Sequence, residues 1–205
     1  MAAPKGSFDH LPETSAFLSF LRKAAIEGYS QSQTKVFTPK CALQDYFGRR
    51  RGSLSRLLDE TLHGERHPPS AETVSTEFIA IYAILITIGQ PQFLKRFIEH
   101  GFCDDKLPLQ VEPPSFPTTT DGGSLFERFE HAQWQFCPLR FRSGGVGYHI
   151  QPAYILPLRE RERLRRSPPA TVYKVKVHED YDLFRSSSLA GSQDVSIFRA
   201  RQISD

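Results

Sequence analysis

Arg165 and Arg166 stand directly before Ser167, Pro168 and Pro169, and then the chain reads Thr171, Val172, Tyr173, Lys174, Val175, Lys176, Val177, His178. That run alternates apolar and polar residues and predicts a β-strand. A strand entered through a tight basic turn is one way to build a phosphate cradle, in which backbone amides and fixed cations meet an anion. The bland alternative is a hairpin with a charged, solvated turn. The same turn spells Arg-Arg-Ser-Pro around Ser167, and Arg49, Arg50, Arg51 and Gly52 lead into Ser53. Both are short patterns that arise often by chance and read first as solvated basic turns; if modified, a phosphate would add roughly two negative charges beside arginines and could order the loop.

Other groups carry less chemistry. His63 and His67 lie four apart, the spacing that pairs metal ligands on one helix face. Gly64 and the Pro68–Pro69 pair argue against a helix there, so no metal site is expected. Cys41, Cys103 and Cys137 are odd in number and widely spaced, which fits neither a disulfide framework nor a zinc motif. Residues 159–166 alternate arginine and glutamate and read as an exposed, salt-bridged segment. No serine, cysteine or carboxylate pair is set beside a histidine as a catalytic triad or dyad requires. No catalytic residue, metal or cofactor is therefore expected.

The elements that would hold these residues follow from composition and periodicity. The 205 residues are 39% hydrophobic and 12% aromatic, enough to fill a core, with a net charge of only +3. Phe17, Leu18, Phe20, Leu21 and Ala25 fall on one helical face. Residues 53–63 repeat that pattern more weakly. Ser70 predicts an N-cap for a helix running through Ile88, with Glu72 in its first turn. The apolar run 78–88 is too short to cross a bilayer. Residues 91–100, bounded by Pro91 and Gly101, predict a further helix packed through Phe93, Leu94, Phe97 and Ile98, forming a hairpin with the one before.

Residues 108–124 are rich in proline, threonine and glycine and read as a loop or linker. Phe126, Phe129 and Trp134 mark another helix. From residue 138 the pattern becomes β-like, in 139–143, 147–151, 171–178 and 195–203. The expected fold class is α+β: a mainly helical domain over 1–137, then a small antiparallel β-rich segment over 138–205. On the alternation of residues 171–178, Tyr173, Val175 and Val177 are expected to pack on the helix around Trp134, leaving Lys174, Lys176 and His178 wetted.

Four phrases in order, at 78–109, 129–141, 154–158 and 171–184, resemble the region ahead of, and just entering, the kinase domain of filamentous-fungal protein-kinase-like proteins. That resemblance implies a helical pre-kinase domain running into a kinase N-lobe. With Val172 as the valine closing the glycine-rich loop, its glycine positions fall on Arg165, Ser167 and Ala170. Pro168 and Pro169 also remove two amide donors. The third kinase strand maps to 195–203 and puts Arg201 where a lysine would pair with phosphate, and arginine is not equivalent to lysine there. Four residues follow Arg201, so the catalytic loop, metal-binding motif and C-terminal lobe of a kinase are not expected.

These readings lead to an intracellular, cytoplasmic protein (the nucleus also open to it) that is not an enzyme and acts through a protein partner. The alternatives are a nucleotide or anion binder using the vestigial Arg165, Ser167, Ala170, Val172 and Arg201, and a weak nucleic-acid binder using Arg49–Arg51 and residues 163–166. No membrane association is expected.

Overall fold

The structure is a computed structural model that describes residues 11–30, 33–50, 52–117, 124–141, 152–167, 170–183 and 196–201, with the backbone alone described at 165–167, 170, 171 and 196–201. It is α+β, with seven α-helices, a two-stranded sheet and a three-stranded sheet among the described residues. The chain divides into two compact units, one of Met1–Ile26 with Thr38–Cys137 and one of Glu27–Phe37 with Pro138–Asp205.

The first unit is helical: α1 (Pro12–Ala24), α2 (Lys40–Arg49), α3 (Ser53–Thr61), α4 (Ala71–Glu77), α5 (Ile79–Thr87), α6 (Leu94–Glu99) and α7 (Leu125–Gln133). Every residue of α5 from Ile79 to Ile86 is buried, as an apolar surface on all sides demands. Helices α1, α2, α4, α6 and α7 all touch it. Phe97 and Phe129 pack beside it with Phe116, the Phe97 and Phe129 rings 5.1 Å apart. The stretch expected as a linker thus contributes to the core: Phe116 and Leu109 are both buried. Leu109 is held there by Gln133, whose side-chain amide accepts from its N–H and donates to its carbonyl, each at 2.8 Å.

The single helix expected from Ser70 to Ile88 is two. Ser70 does cap α4, its Oγ accepting from the Thr73 N–H at 3.0 Å. The helix then breaks at Phe78, whose φ of −130° is not helical. A carboxylate from far along the chain causes the break. Asp104 accepts from the N–H groups of Ala80 and Ile81, which in a continuous helix would bond back to Thr76 and Glu77. A second distant carboxylate serves α1. Leu11 offers no side-chain cap, and Glu60 accepts from the N–H groups of Glu13 and Thr14 at 3.0 and 2.8 Å. Free amides at a helix start favour an anion, and here the anion arrives from α3.

The second unit contains strands that the sequence reading did not anticipate. β1 (Ile26–Ser30) and β2 (Gln33–Phe37) pair as a two-stranded sheet within the stretch read as helical. β3 (Leu158–Ser167), β4 (Ala170–Val177) and β5 (Ser196–Arg201) form an antiparallel sheet in the order β3-β4-β5. The N–H of Tyr29 donates to the Leu156 carbonyl at 2.9 Å, and Leu156 returns the bond at 2.6 Å. Gly28 permits that approach, since a Cβ there would stand 2.6 Å from Ile155 Cγ2. The apolar side of β4, expected against the helix of Trp134, buries Val175 and Val177 among Phe37, Phe141, Ile155, Leu158 and Tyr181. Because Phe37 of β2 is part of that cover, the second unit draws on a segment that lies between α1 and α2 in sequence as well as on the chain from Pro138 onward.

Candidate functional site

The sheet brings together the positions that the sequence offered for anion binding. Arg165 pairs with Val172 and Ser167 with Ala170 across β3 and β4; Val172 pairs with Arg199 and Ala170 with Arg201 across β4 and β5. Two rows therefore cross all three strands, Arg165–Val172–Arg199 and Ser167–Ala170–Arg201. Pro168 and Pro169, between β3 and β4, lie outside the described residues, as do the 147–151 and 185–194 segments. Arg199 was not singled out in the sequence, although its place two residues before Arg201 in a strand puts both on one face.

Charge is divided along this sheet. At the end nearer Leu158 it is neutralised internally: Arg159 meets Glu179 at 2.7 Å and Lys176 meets Glu160 at 3.1 Å, pairs that are solvent-exposed. Residues 159–164 are exposed, with Arg159 and Glu160 in salt bridges, and they form a strand because β4 supplies their hydrogen-bond partners. Arg161 lies 3.8 Å from the centre of the Tyr173 ring and 5.4 Å from that of Tyr29. Towards the β3–β4 turn the balance changes. Arg163, Arg165, Arg166, Arg199 and Arg201 stand at that end, and no acidic residue occupies positions 163–167, 170–173 or 198–201.

His178 departs from the expected wetted face. β4 ends at Val177, and His178 turns inward, 3% exposed, against Phe37 and Tyr181. Its Nδ1 accepts from the Asp180 N–H at 3.3 Å. Burial, helped by Arg159 and opposed by Asp180 and Glu179, lowers its pKa below 6.5 and favours the neutral ring.

The remaining sequence candidates separate. Ser53 is 1% exposed, the first residue of α3, so its hydroxyl cannot meet a kinase in the folded state. The solvated basic turn expected there thus ends in a buried Ser53. Burial follows from Gly52, whose φ of +72° turns the chain into α3 and points Ser53 at the core. Arg49 pairs with Asp45 at 3.0 Å and Arg50 lies over Tyr46, while Arg51 is outside the described residues. His63 and His67 are exposed beyond the end of α3, with Gly64 at φ +89°. Among the described residues no group of three His, Cys, Asp or Glu side chains could hold a metal ion. No described helix is long and apolar enough to cross a membrane. An open groove of about 490 Å³ runs between α2, α3 and α4, with Phe47, Leu54 and Ile79 in its lining and no basic residue.

Comparison with known proteins finds no matching family model, no similar curated protein and no similar solved structure.

Proposed function

We propose that the chain is a non-catalytic interaction or regulatory protein whose sheet unit derives from a kinase-like N-lobe. The observation that most supports this reading is the register at the β3–β4 turn. In a kinase a glycine-rich loop would lie there and bring backbone amides onto the phosphates. Here Arg165, Ser167 and Ala170 stand at the loop's glycine positions, and Pro168 and Pro169 supply no amide donor. Arg201, the residue in the phosphate-pairing position, is registered against Ala170 on the neighbouring strand. Side chains in place of glycines, together with the missing amides, disfavour a folded-over phosphate loop.

A second reading, an anion binder, is favoured by the five arginines at the turn end of the sheet. The two are separated by thermal unfolding with millimolar ATP and Mg²⁺. A ligand that binds only the folded state raises Tm with its concentration over its Kd. No dose-dependent rise is expected. A rise that Arg201→Ala abolishes would replace the first reading with a nucleotide-binding one.

A further inference from the structure

We infer that the outer edge of β3, from Arg163 to the β3–β4 turn, is a docking edge for an acidic peptide segment of a partner protein, which adds there as a further strand. The inference rests on the protein-binding reading above and gives its partner a chemistry. β3 is the terminal strand in the order β3-β4-β5, and among the described strands it pairs with β4 alone. Such an edge presents N–H and C=O groups to any extended chain, and strand addition uses them for affinity while side chains set specificity. A pairing irregularity between Arg163 and Arg165 leaves Leu164 49% exposed beside them.

Charge selects the occupant. Nearer Leu158 the acids of β3 already have basic partners, Glu160 with Lys176, and Glu162 registered opposite Lys174. At the turn end there are arginines on both outer strands and no acid at any described position. Charges on an edge strand ordinarily repel other strands, so a basic edge rejects basic or neutral chains and admits an acidic one. A nucleic acid fits less well. Single strands bind by stacking bases on open aromatic rings, and the Tyr173 ring on this sheet is covered by Arg161 at 3.8 Å. Nor can a nucleic acid complete a backbone ladder.

The test is fluorescence anisotropy of the full chain with a labelled peptide alternating glutamate and valine. Three comparison probes are its lysine counterpart, the acidic peptide with prolines in place of alternate valines, and an oligothymidylate of equal charge. Binding of the acidic peptide should be about tenfold or more tighter than that of each comparison probe and should weaken with salt. Arg163→Glu with Arg165→Glu should abolish it. Should that double variant unfold, Arg163→Gln with Arg165→Gln removes both charges while keeping unbranched polar side chains and should still lose about tenfold. Equal binding of the proline-interrupted peptide would overturn strand addition. Tighter binding of the oligothymidylate, or no peptide binding at all, would overturn the inference. Neither result touches the ATP measurement, which separately decides between the protein-binding and the nucleotide-binding readings.

Discussion

The carboxylate of Asp104 lies within 3.1 Å of the Ala80 amide nitrogen, 24 residues earlier in the chain. It also accepts from Ile81 and pairs with Lys40 at 3.4 Å. Asp104 is buried, and desolvation, only partly offset by the Ala80 and Ile81 amides and Lys40, raises its pKa above 3.8. The charge is therefore a cost that the cap offsets.

Two replacements of Asp104 should consequently differ. Asp104→Ala removes every acceptor from the start of α5 and should destabilise the fold by roughly 2–3 kcal/mol, the range for a lost cap with buried amides left unpaired. Asp104→Asn keeps one acceptor oxygen and sheds the buried charge, so its loss should be clearly smaller. Denaturant unfolding checks the order. Equal losses would mean that the charge, not the hydrogen bonds, sustains the helix start.

Gly28→Ala should destabilise the sheet unit. The new methyl would meet Ile155 Cγ2 at 2.6 Å, the Leu156 carbonyl at 2.9 Å and Phe37 Cδ1 at 3.0 Å. Leu156 cannot retreat without stretching its two bonds to Tyr29. Overpacking of this kind costs about 1–3 kcal/mol. Hydrogen exchange should report faster opening at Tyr29 and Leu156. Unchanged exchange there would show that β1 shifts freely.

His178 should make the second unit acid-sensitive. Its folded pKa is lowered from 6.5, so unfolding takes up a proton below that value. The histidine's contribution is fully present above pH 6.5 and is lost as the pH falls through the folded pKa. Protonation also removes the Nδ1 lone pair that accepts from Asp180. His178→Phe retains an aromatic ring beside Phe37 and Tyr181 without a titrating group. Its unfolding free energy, relative to the unsubstituted chain, should therefore gain as the pH drops below 6.5. A pH-independent difference between the two would refute the assignment.

The parts of the fold legible in sequence were those set by nearby residues. Ser70 announced α4, Gly101 (φ +64°) ended the α6 segment, and the alternation of 171–177 gave β4. What escaped was set at a distance. Phe78 looks like any apolar helix residue until Asp104 arrives to restart the helix. β3 carries almost no apolar alternation, and only its register with β4 makes a strand of it. β1 and β2 are five residues each, too short for their alternation to stand out. The candidate site was legible residue by residue, since Arg165, Ser167, Ala170, Val172 and Arg201 could all be named. Their assembly into two rows across three strands, and the addition of Arg199, needed the register.

The pairing of Tyr29 with Leu156 spans 127 positions and has a consequence for how the protein is made. On a ribosome, β1 and β2 emerge after α1 and can pair with each other, but they must wait for Leu156 while α2 to α7 are synthesised. Domains that fold as they emerge normally do so in chain order, yet this sheet unit cannot close until its last strands leave the tunnel. Nor can it be excised at residue 138, because a fragment starting there lacks the Phe37 ring at the middle of its own core. The stretch from α2 to α7 is, in effect, an insertion between the two parts of the sheet unit, folding while its host waits.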